Sequence, residues 1–168
     1  YRNREYLPWR YQRYPGEEGD LFARFIAQTL KPYIDKQYRT KAGRENTVLF
    51  GSSFGALISF YTALKYQHVS GKVGAFSPSF WAAPDKLLDF VEKTGKKQTV
   101  KMCFLVGLKE AKLIMDSTQK ILKHLRLLGF SDDELKLIVR YDGEHKEWFW
   151  RREFSEAIKW LFDIHNQV

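Results

Sequence analysis

The segment at residues 47–64 (TVLFGSSFGALISFYTAL) constrains the fold more than any other part of the chain. An apolar run at residues 48–50 is followed by a turn at residues 51–55 and then by apolar residues at helical spacing. A strand that enters a helix through a serine flanked by glycines, G-x-S-x-G, is typical of the nucleophile elbow of serine hydrolases. The sharp turn exposes the Ser53 hydroxyl, and Gly51 and Gly55 are expected to keep Cβ atoms out of the crowded strand–helix junction. The pattern therefore predicts a βα unit with Ser53 as a nucleophile.

The rest of the chain repeats this βα pattern. Hydrophobic periodicity predicts three more strands, each followed by an amphipathic helix, at residues 73–76, 100–106 and 135–141. Before the elbow we expect an extended loop at residues 1–15 and then a helix that Asp20 caps and Pro32 kinks or ends near Lys31. One helix followed by four βα units predicts an α/β fold, with three α/β/α layers around a mainly parallel sheet, as a single domain over residues 1–168.

Composition excludes several other classes of protein. A chain of 168 residues with 44% hydrophobic residues can bury a substantial core. The net charge of +8 comes from scattered basic residues, which favours a solvated basic surface and no nucleic-acid partner; polyanion binding is the weaker alternative. No apolar run is long enough to predict a transmembrane helix, so we expect no membrane partner. Nothing calls for an oxidising compartment, and we expect a cytoplasmic protein.

Metal and thiol chemistry are not predicted. The single cysteine, Cys103, lies in an apolar run and is expected to be a buried free thiol. No cluster of histidine, cysteine or carboxylate residues has the spacing of a metal site, so we expect neither a metal nor another cofactor.

The partners of Ser53 should follow later strands, because the carboxyl ends of parallel strands meet at one edge of a sheet. The α/β-hydrolase order is serine, then an acid, then histidine. Of the four histidines, only His145 falls in a loop directly after a predicted strand, and Glu110 follows the preceding strand. We predict His145 as the general base and Glu110 as the acid that orients its ring. The carboxylates that remain alternatives to Glu110 are Asp116, Asp142 and Glu144.

Three further residues are candidates for oxyanion or substrate binding. The backbone N–H of Phe54 opens the predicted helix and could donate to a developing oxyanion. Trp81 could line an acyl pocket or pack in the core, the latter being the commoner fate of an aromatic residue. Ser52 offers a second hydroxyl beside Ser53.

Taken together, these residues resemble a known family. The chain is similar to the branch of the α/β-hydrolases that includes esterase D, the enterobactin-type siderophore esterases and many feruloyl and acetylxylan esterases. The resemblance rests on residues 4–9 (REYLPW), 30–35 (LKPYID), 38–40 (YRT), 51–55 (GSSFG), 76–81 (FSPSFW) and 107–110 (GLKE), with His145, Glu147 and Trp148. It implies a serine hydrolase that cleaves a small-molecule or sugar-linked carboxylic ester through an acyl-enzyme on Ser53.

The chain also departs from this family. Ala56 stands where the family usually has a glycine, and we expect its methyl group to tighten the site. Relatives carry roughly another hundred residues before this point, so we expect the C-terminal portion of an α/β-hydrolase with its N-terminal strands missing. The first strand would then be a bare sheet edge open to self-association, and the oxyanion hole would lack its second donor. These departures keep open a catalytically inactive binding or interaction protein of the same fold.

Overall fold

Four parallel strands form one sheet in a computed structural model that describes residues 2–11 and 16–164. In spatial and chain order they are β1 (Val48–Ser52), β2 (Lys72–Phe76), β3 (Lys101–Gly107) and β4 (Leu135–Arg140). Each strand is followed by a helix, so the predicted alternation is confirmed. The helices before and between the strands are α1 (Arg2–Glu5), α2 (Gly19–Phe25), α3 (Lys31–Gln37), α4 (Phe54–Lys65), α5 (Pro84–Thr94), α6 (Lys112–Leu127) and α7 (Glu147–Leu161).

Alternate residues of the strands pack into different layers. On one face of the sheet, Met102 and Phe104 lie in a core with Leu57 of α4 and Leu125 of α6. On the other face, residues such as Leu105 pack against α7 through Phe149, Ala157 and Leu161. This arrangement buries both faces, as parallel sheets require, and confirms the three-layer α/β/α fold.

The N-terminal region differs in detail from the sequence prediction. Residues 2–5 form the short helix α1 instead of an extended loop, while residues 1 and 12–15 lie outside the described residues. Asp20 does not cap α2: it lies in the first turn and accepts a hydrogen bond of 2.7 Å from the Tyr61 hydroxyl. That bond and the buried Ala23 fasten α2 to α4.

Pro32 does not end its helix near Lys31. The helical path continues from α2 through a π-helical stretch, Ile26–Leu30, into α3, where Pro32 occupies the first turn. A proline cannot donate the usual backbone hydrogen bond and crowds the preceding turn. A wider π-helical turn just before it accommodates this defect without ending the helix.

Strand β1 lies at one edge of the sheet. It pairs with β2 on one side, and no other strand among the described residues pairs with its outer side. All five of its residues are partly exposed. The self-association expected at this edge stays a prediction.

Candidate active site

The turn between β1 and α4 has the geometry of a nucleophile elbow. Ser53 adopts φ 58° and ψ −124°, a strained conformation that is rare for a residue with a side chain. Its backbone N–H donates to Phe76 O at 2.9 Å, which fixes the turn to the end of β2. Its carbonyl accepts hydrogen bonds from the N–H groups of Ala56 and Leu57, so the helix starts directly behind the serine. The strain is therefore held in place by hydrogen bonds on both sides of Ser53.

Only one of the two elbow glycines is needed for close packing. A Cβ atom on Gly51 would lie less than 3.0 Å from the carbonyl carbon and oxygen of Gly55, as the sequence predicted. A Cβ atom on Gly55 would meet nothing within 4 Å, so the prediction for that glycine is wrong. Ala56 is fully buried in the core between sheet and helices, so its methyl group packs there.

His145 and Glu110 are brought together by neighbouring loops. Glu110 follows β3 and His145 follows β4, and His145 Nδ1 lies 2.8 Å from Glu110 Oε1. The other carboxylate oxygen of Glu110 accepts a 2.7 Å hydrogen bond from the N–H of Gly107. The Glu110 side chain is fully buried, whereas that of His145 is 40% exposed. Because an ionised carboxylate only accepts hydrogen bonds, this contact places the ring proton on Nδ1 and leaves Nε2 as a proton acceptor.

Close packing of glycines lets these two loops approach each other. A Cβ atom on Gly107 would lie less than 3.0 Å from the backbone of Gly143. The N–H of Lys109 donates to Gly143 O at 3.1 Å, and the N–H of Leu108 donates to Arg140 O at 2.8 Å. The loop that carries Glu110 is thus hydrogen-bonded along the loop that leads to His145.

The other candidate acids are paired elsewhere. Asp142 makes two hydrogen bonds with the Arg152 guanidinium, at 2.5 and 2.9 Å. Glu144 pairs with Lys146 at 2.6 Å. Asp116 faces Lys112 on the same helix at 4.0 Å. Of the four carboxylates that the sequence offered, Glu110 is the one that contacts the imidazole.

Ion pairs anchor the His145 loop to α7. Besides holding Asp142, Arg152 donates from Nε to Glu153 at 2.6 Å, and Arg140 Nε donates to the other oxygen of Glu153 at 2.8 Å. Glu153 is buried, with 5% of its surface exposed, and the two arginines neutralise its charge there. The hydrogen bond from Arg152 lowers the pKa of Asp142 below its ordinary value of 3.8. This network fixes the end of β4 and the loop that follows it.

Ser53 and His145 line the same cavity. Its volume is about 380 Å³, and its other walls are Arg2, Ser52, Glu147 and Trp150. Within the described part of the chain, Ser53 Oγ has a hydrogen bond with Ser79 Oγ, at 3.4 Å, and none with His145. The loop tips after β1 and β4 therefore meet at one cavity, with the serine hydroxyl turned to the loop after β2.

Phe54 and Trp81 lie on another side of Ser53. Their rings are 6.0 Å apart, and Trp81 also contacts Tyr11 at 6.2 Å. All three are partly buried and pack against the main core, and neither Phe54 nor Trp81 is among the walls of the cavity. For Trp81 the structure favours core packing, the second of its two predicted roles. The backbone of Phe54 begins α4, whose positive dipole end lies at Ser53.

Three residues of this site were missed by sequence reasoning. Trp150 lines the cavity and contacts His145, whereas Trp148, which the family resemblance included, lies under the Arg152 guanidinium instead. Arg2 reaches the cavity from α1, and Ser79 contacts Ser53. The helical spacing of α7 could have separated Trp148 from Trp150, but the contacts of Arg2 and Ser79 depend on the tertiary fold.

Other chemistry has less support in the described residues. Cys103 is fully buried, and burial raises the pKa of its thiol to about 12, as expected for a structural cysteine. Within residues 2–11 and 16–164, no group of three or more histidine, cysteine or carboxylate side chains is placed to hold a metal ion. In the same residues no helix combines the length and hydrophobicity needed to cross a bilayer.

A known protein family matches most of the chain. Residues 2–161 match the family model described as "Esterase: Putative esterase". The chain belongs to this esterase family. Its sequence is also 24% identical over 173 residues to YbbA, an uncharacterized protein of Bacillus subtilis, covering 94% of this chain and 68% of YbbA. YjcH of the same organism is 29% identical over 153 residues, covering 86% of this chain and 61% of YjcH.

Solved structures of other proteins share the fold of this esterase-family chain. The BES protein from Bacillus cereus aligns with a TM-score of 0.75 and 22% identity, over 95% of this chain and 63% of that protein. An IroE-like serine hydrolase from Shewanella oneidensis aligns with a TM-score of 0.74 and 20% identity, over 96% of this chain and 57% of that protein. Both similarities confirm an α/β-hydrolase fold. The chain thus spans about three fifths of these proteins, and its being the C-terminal part of a larger domain stays a prediction.

Proposed function

We propose that this esterase-family chain hydrolyses carboxylic esters through an acyl-enzyme on Ser53. The observation that carries the proposal is the 2.8 Å contact between His145 Nδ1 and the buried Glu110 carboxylate, beside the cavity that Ser53 lines. A carboxylate-oriented imidazole that lines the same cavity as a serine on a strained elbow supplies the groups that acyl transfer uses. Family membership supports the same reaction.

In the first half of the proposed reaction, Ser53 Oγ attacks the ester carbonyl carbon while His145 Nε2 accepts the hydroxyl proton. Glu110 holds the ring in the required tautomer and stabilises the imidazolium. The tetrahedral intermediate collapses when the bond to the alcohol oxygen breaks, and His145 gives its proton to that oxygen. In the second half, water attacks the acyl carbon while His145 Nε2 accepts its proton. The bond from that carbon to Ser53 Oγ then breaks, His145 returns the proton to Oγ, and the carboxylic acid leaves.

The oxyanion would form at the start of α4. We propose the backbone N–H of Phe54 as one donor, because it follows the nucleophile directly and lies at the positive end of a helix of twelve residues. Ser52 is the neighbouring hydroxyl in the cavity and is proposed to contact the bound ester.

One rotation is needed before the first step. Ser53 Oγ lies 3.4 Å from Ser79 Oγ, a long hydrogen bond that costs little to break. Turning about the Cα–Cβ bond would move the hydroxyl toward the cavity and His145. Hydrogen bonds in unliganded active sites commonly tighten only when the substrate binds, so the resting contact with Ser79 is compatible with catalysis.

The proposed substrate is a small-molecule or sugar-linked ester. The cavity is polar and open, and its walls include a cationic side chain, Arg2, and an aromatic one, Trp150. Structures with this fold include a ferulic acid esterase, which is named for an aromatic acid, and an enterobactin esterase from Shigella flexneri determined with 2,3-di-hydroxy-N-benzoyl-glycine, which carries an aromatic group. We therefore propose that esters of aromatic acids be tested beside simple acetates.

The proposal is tested by hydrolysis of p-nitrophenyl acetate and p-nitrophenyl ferulate by the full-length protein. We expect turnover that falls to the uncatalysed rate in Ser53→Ala and persists in Ser155→Ala, which alters an exposed serine outside the cavity. Activity that is equal in Ser53→Ala and the unaltered protein would overturn the proposal. Uncatalysed rates in both proteins would favour the alternative, a non-catalytic binding protein with the same fold.

A further inference from the structure

Trp150 and Ser77 form a part-buried contact beside His145 that the proposed reaction does not itself use. The indole Nε1–H of Trp150 donates to Ser77 Oγ at 2.8 Å. The Trp150 ring meets the His145 ring edge-on, with centroids 5.1 Å apart and an angle of 89° between the planes. One tryptophan thus links the imidazole to the loop after β2.

Ser77 is a rigid support for this contact. It is fully buried and adopts φ 46°, a value that is uncommon for a serine. Its backbone N–H donates to Leu105 O at 2.7 Å, and Leu105 lies within the central strand β3. The hydroxyl that accepts the indole proton is therefore fixed to the middle of the sheet.

Glu110 alone does not fix the plane of the imidazole. Its contact with Nδ1 holds one atom of the ring, and the ring could still tilt about that hydrogen bond. The Trp150 ring lies against the imidazole from a different element, α7, and restricts that tilt. The two contacts therefore restrain the ring of His145, which lines the cavity, in different directions.

We propose that Trp150, held by Ser77, is a positioning residue for His145. This inference rests on the proposed function only for its effect on turnover, because the ring geometry can be measured without a substrate. The titratable or charged groups beside His145 include Glu110 on the loop after β3, Glu147 and Arg2 in the cavity, and the adjacent ion pair of Glu144 and Lys146. None of them is altered in the test.

The variants are Trp150→Phe, Ser77→Ala and the double variant, made in the full-length protein. Trp150→Phe retains an aromatic edge but removes the indole donor, and Ser77→Ala removes the acceptor. Trp160→Phe on the same helix and Ser70→Ala are matched controls. Ser70 is a fully buried serine near the start of β2, with hydrogen bonds to Thr47 O and Lys72 O.

The first readout is kinetic. We expect each single variant to lower kcat about tenfold with little change in KM, since a small misplacement of a catalytic group is costly. The double variant should be no slower than the slower single variant, because both changes break the same hydrogen bond. The two controls should keep the kcat of the unaltered protein. Unchanged kcat in Trp150→Phe and Ser77→Ala, or losses that multiply in the double variant, would overturn the proposal.

The second readout is the His145 Nδ1–H signal in side-chain nitrogen–proton NMR spectra, assigned with His145→Gln. We expect faster exchange of this proton with water in both single variants and not in Trp160→Phe or Ser70→Ala. An exchange rate unchanged by Trp150→Phe would contradict the positioning role even if no ester is hydrolysed. An unaltered protein without Ser53-dependent turnover would instead refute the proposed function.

Discussion

His145 Nδ1 and Glu110 Oε1 lie 2.8 Å apart although 35 positions separate the residues in the chain. The contact forms because β3 and β4 are parallel neighbours whose last residues, Gly107 and Arg140, are paired in register. Glu110 is buried behind the more exposed imidazole, so the acid is shielded and the base faces the cavity. The catalytic proposal depends on this asymmetry.

Replacing Glu110 by glutamine tests the orienting role. The amide of Glu110→Gln can donate to Nδ1, which would move the ring proton to Nε2 and remove the proton acceptor that Ser53 needs. We expect kcat for p-nitrophenyl acetate to fall roughly a hundredfold or more, with the fold retained. Glu144→Gln is the control, since Glu144 pairs with Lys146. If the kcat of Glu110→Gln stayed within about twofold of that of the unaltered protein, Glu110 would have no orienting role in the reaction.

The two elbow glycines are predicted to respond differently to alanine. In Gly51→Ala the new methyl group would collide with the Gly55 backbone, and we expect a loss of about 1–3 kcal/mol in unfolding free energy. In Gly55→Ala the methyl group meets open space in a helix, and we expect a change within about 1 kcal/mol, toward higher stability. Denaturant unfolding of both variants measures the difference. Equal losses in the two variants would show that the turn is packed differently.

Asp142 should stabilise the fold in a pH-dependent way. Arg152 lowers its pKa in the folded protein below the ordinary value of 3.8, so the folded state holds the proton less tightly than the unfolded state. The stabilisation is therefore present above the unfolded-state pKa and is lost as pH falls through the folded-state pKa. We expect Asp142→Asn to be less stable than the unaltered protein at about pH 7 and the gap to be narrower at about pH 3, below the ordinary pKa of 3.8.

Thermal unfolding at the two pH values measures that gap. Asp133→Asn, which alters an exposed carboxylate in the loop before β4, is the control and should show no gap that depends on pH in this way. A gap that is the same in acid and at neutral pH would mean that the Asp142 charge does not contribute. The Arg152 contact would then hold the loop by packing alone.

Much of the fold could be predicted from the sequence because the hydrophobic patterns are local. The four strands and the helices after them follow from runs of apolar residues, and the parallel sheet follows from their alternation. The prediction failed where a non-local contact decides the outcome. Asp20 is of a residue type that commonly caps helices, but its side chain accepts a hydrogen bond from Tyr61 across the interface with α4.

The candidate site was predictable to a similar extent. Ser53 is marked by its turn, and His145 and Glu110 by their places after strands, so chain order alone brought them to one edge of the sheet. Trp150 and Ser79 carry no such mark. Trp150 meets Ser77 only when α7 folds against the loop after β2, and Ser79 meets Ser53 only when that loop folds against the elbow turn. The choice of Glu110 over Asp142 likewise required knowing that Arg152 occupies Asp142.

The reactivity of Ser53 is the most direct test of the account. The full-length protein would be treated with a fluorophosphonate probe, digested, and analysed by mass spectrometry for the modified residue, with Ser53→Ala and Ser52→Ala in parallel. The account predicts one modification on Ser53, absent from Ser53→Ala and retained in Ser52→Ala. An unlabelled Ser53 in the folded full-length protein, or equal labelling of Ser53→Ala, would contradict it.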